Sequence, residues 1–322
     1  MQPGDGTQTE PHPEGSDRHP VGRDVSPHPW VLCAQNQRGS PYVYAPTISV
    51  IVPAMNEAAN LPHVLPRIPI DVLEVILVDG DSTDDTVAVA RSVLPTVRIV
   101  KQNGRGKGAA LRTGFAAARG DIIVMLDADG STAPEEIPAL VRALTDGADF
   151  AKGSRFLTGG GTADMQLYRR LGNGVFVAMV RLLFGGRYTD LCYGYNAFWR
   201  EVVPQLALDG TGFEIETMMN VRALKIGLKV VEVPSFESHR IHGESNLHTI
   251  PDGMRVLRTI LRERLSGPVR AAAPMPTPVA VLPVMPGTVA MAVERDAEPG
   301  VPWSDPVWAE TSGSSAEALI AR

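Results

Sequence analysis

The chain has 322 residues, of which 44% are hydrophobic and 20% charged, and its formal net charge is −6. Enough apolar material is present for a substantial core, either in one α/β domain with tails or in two average domains, and the acidic balance gives no global reason to expect nucleic acid as a partner. The two cysteines, Cys33 and Cys192, lie far apart in the sequence and form no disulfide framework, so a reducing compartment is expected.

Residues 1–46 are rich in Pro, Gly, His and polar residues, the composition of a disordered N-terminal tail. They open without a basic stretch followed by an apolar core, so no secretory signal is read. Residues 47–265 then alternate two patterns. Short β-branched runs at "TISVIVP" (47–53), "LEVILVD" (73–79), "VRIVK" (97–101) and "IIVMLD" (122–127) fit strands covered on both faces. Helix-like stretches lie between them. Ser82 is placed to cap "TVAVARSVL" with Asp85 three residues on, as in a capping box. "AALRTGFAAARG" stops at Gly120. "APEEIPALVRAL" has proline and two acids in its first turn. This alternation predicts a parallel sheet with helices on both faces. Residues 266–322 are Pro/Ala-rich and read as a second disordered tail. Their apolar part, 271–293, is interrupted by proline every few residues and cannot form one continuous helix. No 18-residue apolar run free of charge and proline occurs, so no transmembrane segment is expected. The expected location is the cytoplasm, with peripheral contact at the inner membrane face.

In open parallel sheets, ligands bind outside the carboxyl ends of the strands. Three of these ends are polar: Asn56 and Glu57 follow the first strand, Asp79 ends the second, and Asp127 and Asp129 follow the fourth. One reading is a dinucleotide site of an NAD-type oxidoreductase. "GRGKGA" (104–109) matches G-x-G-x-x-A between a strand and a helix, and Asp127 lies where a ribose-binding acid belongs. However, two strand–helix units precede these glycines, and Asp79 and Asp129 are left without a role. Lys107 is not a P-loop lysine, because Gly108 follows it where Ser or Thr is needed. A calcium loop is excluded by register. A catalytically silent nucleotide-binding module is a further alternative.

The other reading uses all the strand ends. Across residues 47–265, "VIVPAMNE" (50–57), "ILVDGDSTDDT" (76–86), "NGRGKGAALRTGF" (103–115), "MLDADGS" (125–131), "KGSRF" (152–156), "DLCYGYNAFWR" (190–200) and "HRIHGESNL" (239–247) occur in order. With these motifs the chain resembles the family 2 glycosyltransferases, and within them the dolichyl-phosphate mannose synthase-like group. The resemblance implies a single α/β domain of GT-A type, with an open, mostly parallel sheet and helices on both faces. It also implies a nucleoside-diphosphate sugar donor, inverting hexosyl transfer and a divalent metal, Mg or Mn. Such ions take hard oxygen ligands and stabilise a departing diphosphate as Lewis acids. By resemblance, Asp127 and Asp129 form the metal motif, Asp129 being the more direct ligand. Pro53, Ala54, Glu57 and Asp79 line the nucleotide pocket, joined by Lys107 and Asp127. Asp129, Arg155 and Arg240 act at the reacting diphosphate, where an arginine fork binds phosphate oxygens bidentately. His242 and Ser245 share the Arg240 loop and are expected to take part in acceptor or phosphate binding. Ser131 stands where the mannose synthases often carry a further ligand, and Asn246 where they commonly carry lysine.

A hydroxyl acceptor requires a general base, for which Glu214 and Glu216 are the nearby candidates. Both also fit as ordinary first-turn acids of a helix. A phosphate monoester has its second pKa near ~6 and attacks without a base. With the resemblance to the dolichyl-phosphate mannose synthase-like group, the expected acceptor is a polyprenyl phosphate, and a soluble acceptor such as a phosphorylated metabolite or a natural-product scaffold is the alternative. "GNGVFVAMVRLLFGG" (172–186) and "PDGMRVLRTILRERL" (251–265) fit either a membrane surface or ordinary packing. In the second, Arg255, Arg258 and Arg262 share one face and Met254, Leu257 and Leu261 another. The aromatics of "YGYNAFW" fit an acceptor channel or the core.

Overall fold

The structure, a computed structural model, describes residues 45–163, 165–245 and 247–269, together with the backbone of 32–35 and 41–44. Strands form where β-branched residues run without interruption. These are Ile48–Ala54 (β3), Glu74–Asp79 (β4), Arg98–Lys101 (β5) and Ile122–Met125 (β6), close to their expected bounds. They join Phe150–Ser154 (β7), Asn196–Trp199 (β9) and Val230–Pro234 (β10) in a seven-stranded sheet of order β10-β7-β9-β6-β3-β4-β5. Only β9 runs antiparallel to its neighbours.

Alternate side chains along a strand point to opposite faces, and each face carries its own core. On one face, Val50 and Val52 pack with Leu61 of α1 (Leu61–Val64), Ala90 of α2 (Thr86–Val93) and Leu140 and Leu144 of α4 (Ile137–Thr145). On the other, Ile51 and Val78 pack with Leu111 and Phe115 of α3 (Lys107–Ala117), Leu206 of α6 (Val202–Leu206) and Ile215 and Met219 of α7 (Glu214–Lys225). Gly120 brings the chain back against β3; a Cβ there would lie 2.7 Å from the Ser49 nitrogen. Ser82 does not cap α2. Its hydroxyl instead accepts the Asn56 N–H at 3.0 Å, which ties the loop after β3 to the loop after β4.

A third cluster joins α5 (Leu167–Phe184), α7 and α8 (Thr249–Leu265) through Val177, Val180, Val221, Val256 and Ile260. The face of α8 that packs is thus neither of those marked by its charge pattern. Met254 and Leu261 are exposed beside Arg255, Arg258 and Arg262. Glu263 anchors the helix, lying 2.7 Å from Arg222 and 3.1 Å from Lys225 of α7.

Inside the segment expected to be a disordered tail, Leu32–Gln35 (β1) and Pro41–Tyr44 (β2) pair antiparallel. The strand-forming Tyr42, Val43 and Tyr44 account for this and were masked by the surrounding Pro/Gly-rich composition. Residues 1–31, 36–40 and 270–322 lie outside the described residues. A short parallel pair, Gly161–Thr162 (β8) with Phe236–Glu237 (β11), leads the chain into the loop that carries Arg240.

Candidate functional site

From β3 the sheet continues in opposite directions, to β4 and β5 on one side and to β6 on the other. A crevice opens at such a switch point, and Glu57 and the Asp127–Asp129 turn follow the two strands that flank it. The structure divides the acidic residues there between two cations.

Lys107 is the first. Its Nζ lies 2.8 Å from Asp127 Oδ1 and 2.8 Å from Glu216 Oε1, with the Phe213 ring 5.7 Å away. Burial works against this charge, but the two carboxylates outweigh it and hold the ammonium pKa well above its ordinary value. Glycines make the close approach possible. Gly106 has φ +89°, and a Cβ on it would lie 2.4 Å from the Thr211 carbonyl oxygen. A Cβ on Gly194 would lie 2.4 Å from Glu216 Oε1 and 3.1 Å from Lys107 Nζ. Gly108 N–H and Ala109 N–H both donate to the Thr211 carbonyl, at 2.8 and 3.3 Å. Two of the amides at the start of α3 that a dinucleotide pyrophosphate would need are thus already used, and "GRGKGA" presents Lys107 against the loop before α7.

Arg240 is the second cation. Its guanidinium donates to Glu57 Oε1, to Asp129 Oδ2 at 3.1 Å and to the His242 carbonyl at 2.8 Å. Asn60 completes this corner by donating to Glu57 and accepting the His242 N–H at 2.9 Å. Burial pushes the Glu57 carboxyl above its ordinary value, against the opposing pull of Asn60 and Arg240. The loop lies directly on the Asp-x-Asp turn: Ser238 N–H donates to the Ser131 carbonyl at 2.9 Å and Ile241 N–H to the Asp129 carbonyl at 3.1 Å. Gly130, with φ +79°, leaves room for the Ile241 side chain.

Other expected site residues are placed differently. Asp79 is half-buried at the end of β4 and accepts the Ser82 N–H at 3.3 Å, while Pro53 and Ala54 end β3 beside it, with the Ala54 carbonyl accepting the Gly80 N–H at 2.8 Å. His242 joins the cluster through its backbone, and its ring lies 5.7 Å from that of His63. Ser245 is exposed, and its hydroxyl accepts the Leu247 N–H at 3.2 Å. Asn246 lies outside the described residues.

Arg155 is buried with every guanidinium nitrogen engaged. Nε and Nη2 donate to Asp190 at 2.7 and 2.9 Å, and Nη1 donates to Glu237 at 3.0 Å. These bonds staple the end of β7 to the 190 loop and β11, and a phosphate oxygen would have to displace a carboxylate here, as it would at Arg240. Glu214 caps the loop before α7, accepting the Thr211 and Gly212 N–H groups at 2.9 Å each. Glu216 turns inward, 5% exposed. Its pairing with Lys107 could not be read from the sequence, where it fits a base or a first-turn acid. Asn60 carried no sequence signal beyond proximity to a motif, and Asp190, the first residue of "DLCYGYNAFWR", carried no assigned role.

Among the described residues, no three or more His, Cys, Asp and Glu gather into a metal cage. The donor set nevertheless fits Mg²⁺ or Mn²⁺. Glu57, Asp127, Asp129 and Glu216 outnumber Lys107 and Arg240 two to one, and the Asp127 and Asp129 side chains are 27% and 22% exposed. An ion of this kind binds through one or two carboxylates and takes its remaining ligands from phosphates and water.

A mostly parallel sheet with one reversed strand and an open acidic turn at its switch point defines a nucleotide-binding protein of the GT-A type. The family model Glycosyl transferase family 2 matches residues 49–206. Over 211 residues the chain is 34% identical to the polyprenol monophosphomannose synthase of Mycolicibacterium smegmatis, covering 62% of this chain and 80% of that one. Over 209 residues it is 35% identical to the dolichol-phosphate mannosyltransferase of Pyrococcus furiosus, spanning 62% of this chain but only 59% of that relative's length. The chain belongs to glycosyl transferase family 2, in the dolichyl-phosphate mannose synthase-like group. Among solved structures, glucosyl-3-phosphoglycerate synthase from Mycobacterium tuberculosis, in complex with Mn²⁺, UDP-glucose and glycerol 3-phosphate, superposes with a TM-score of 0.55 at 27% identity, covering 68% of this chain and 80% of that one.

Proposed function

We propose that this protein transfers a hexosyl group, with inversion and with a divalent ion, from a nucleoside-diphosphate sugar to a polyprenyl phosphate. The observation that carries the acceptor is a cavity of about 180 Å³ between α5, α7 and α8. Its wall includes the apolar side chains of Met165, Tyr168, Phe176, Phe213, Leu247 and Val256, and Glu216 also lines it. Glu216 and Phe213 stand, with Asp127, around the Lys107 ammonium. This largely apolar cavity, whose wall also carries Arg155 and Arg169, thus adjoins the partners of Lys107, and the first isoprene units of a lipid phosphate would lie there in this reading.

In this reading Asp79 and the loop after β3 hold the nucleoside, and the Asp127–Asp129 turn holds the ion. The ion supplies charge neutralisation for the leaving diphosphate. Lys107 fixes Asp127, and Arg240 offers its fork to phosphate oxygens. The acceptor phosphate is already an anion at neutral pH, so no residue has to remove its proton. This agrees with Glu214 being used as a cap and Glu216 as a lysine partner. The outward faces of α5 and α8 support approach to a lipid surface. Leu167, Leu171, Val175 and Leu182 on α5 and Met254, Leu261 and Leu265 on α8 are exposed, with Arg255, Arg258 and Arg262 beside them. No helix among the described residues is long and apolar enough to cross a membrane.

A second reading, a soluble phosphorylated acceptor, is favoured by the solved complex with glycerol 3-phosphate. Lipid partition separates the two. Labelled GDP- and UDP-hexoses are incubated with the full chain, Mn²⁺ and polyprenyl phosphate, and label is expected in the organic phase. Label that stays aqueous with polyprenyl phosphate, but moves onto 3-phosphoglycerate, would overturn the lipid acceptor.

A further inference from the structure

Asp129 has both carboxylate oxygens engaged by the protein itself. Oδ1 accepts the Ser131 N–H at 2.9 Å, and Oδ2 accepts Arg240 Nη1 at 3.1 Å. The same guanidinium reaches Glu57, and its Nε is held by the His242 carbonyl. A divalent ion that binds Asp129 must therefore compete with a protein cation for Oδ2, and two cations on one carboxylate oxygen repel each other. A diphosphate changes that balance, because its oxygens give the arginine fork a new bidentate acceptor. The loop has little other reason to move: its backbone is already fastened to the turn through Ser238 and Ile241, and to Asn60 through His242.

From this geometry we infer that Arg240 is a coupling residue, occupying Asp129 until a diphosphate arrives and so making metal and diphosphate bind together. The inference rests on the metal–diphosphate reading of the Asp-x-Asp turn. Linkage requires the effect to be reciprocal: diphosphate tightens metal binding and metal tightens diphosphate binding by the same factor. It also requires an effect that an ordinary ligand-side residue would not show. Removing the Arg240 charge should tighten metal binding when no nucleotide is present.

Free Mn²⁺ measured by electron paramagnetic resonance in the presence of the full chain tests this, without nucleotide and then with UDP or GDP. Arg240→Gln should bind Mn²⁺ on the order of tenfold more tightly than wild type without nucleotide, within the usual range of coupling. The tightening of Mn²⁺ binding by nucleoside diphosphate, about tenfold or more in wild type, should shrink towards none in this variant. Arg240→Lys keeps the charge but not the fork and should tighten binding of Mn²⁺ alone clearly less than Arg240→Gln does. The inference is overturned if Arg240→Gln binds Mn²⁺ no more tightly than wild type, including the case where neither binds. It is equally overturned if Arg240→Lys tightens as much as Arg240→Gln, since packing and not charge would then be responsible. Undiminished Mn²⁺ binding by Asp129→Asn would instead remove the metal reading beneath it.

Discussion

Asp190→Asn separates a structural from a phosphate-binding Arg155. Asp190 is fully buried and accepts two bonds from the Arg155 guanidinium at 2.7 and 2.9 Å. Burial pushes its carboxyl up, yet Arg155 outweighs this and holds the group below its ordinary value. Removing one partner of a buried ion pair costs about 3–5 kcal/mol. Glu237 still faces Nη1 at 3.0 Å, and asparagine keeps one acceptor, so the lower end, about 3 kcal/mol, is expected. For a domain of this size, roughly 2–4 °C is lost per kcal/mol, which gives a fall in Tm of about 6–12 °C. Urea unfolding at pH 7, followed by circular dichroism, measures the change. Arg155→Met should lose a similar amount, and pairing it with Asp190→Leu should recover part of the loss, because the buried Asp190 carboxylate is then removed with its partner while Glu237, 16% exposed, keeps Thr162. A loss below about 1 kcal/mol in Asp190→Asn, accompanied by a large loss of donor or acceptor binding, would refute the structural assignment.

Gly194→Ala should push Glu216 and Lys107 apart, since its Cβ would lie 2.4 and 3.1 Å from their charged atoms; overpacking of this kind costs about 1–3 kcal/mol, and donor binding by calorimetry should weaken, whereas unchanged binding would show that the pair is not needed. Glu263 is held below the ordinary 4.5 by Arg222 and Lys225 despite the opposing effect of burial. Between its folded and unfolded values the unfolded chain binds the extra proton, so its contribution is complete above about pH 4.5 and lost as pH falls through the folded value. Urea midpoints from pH 6 to 3 should show this fall in wild type and a smaller one in Glu263→Gln. The Cys192 thiol is pushed up to about 12 by burial, with Asp190 and Glu216 adding to the effect, so iodoacetamide at pH 8 should leave it unmodified in the native protein; labelling at the denatured rate, seen by peptide mapping, would contradict this.

Strands β3, β4 and β6 were legible because each is a run of apolar residues buried on both faces. The strands on the far side were not, because polar residues interrupt them whose partners are distant in sequence. β7 contains Lys152, fully buried, whose ammonium donates to the Tyr193 carbonyl at 2.9 Å. β10 contains Glu232, which accepts the Thr189 and Asp190 amides. The site follows the same rule. Spacing alone marked Asp127 and Asp129 as a pair, but no local pattern could assign one to Lys107 and the other to Arg240. Arg155 was legible as a motif residue, but its partners lie 35 and 82 positions away. The glycines of 104–108 matched a phosphate fingerprint because close backbone approach is their role in both cases. Here the approaching backbone is Thr211 of the same chain.

Titration calorimetry with UDP, GDP and NAD, each with and without Mn²⁺, tests most directly whether the Asp127–Asp129 turn is a metal–diphosphate site. One of the two nucleoside diphosphates should bind only with Mn²⁺, and Asp129→Asn should reduce that binding by about 10- to 100-fold, as expected for a lost charged ligand. Tight, metal-indifferent binding of NAD, or nucleoside diphosphate binding untouched by Asp129→Asn, would contradict it.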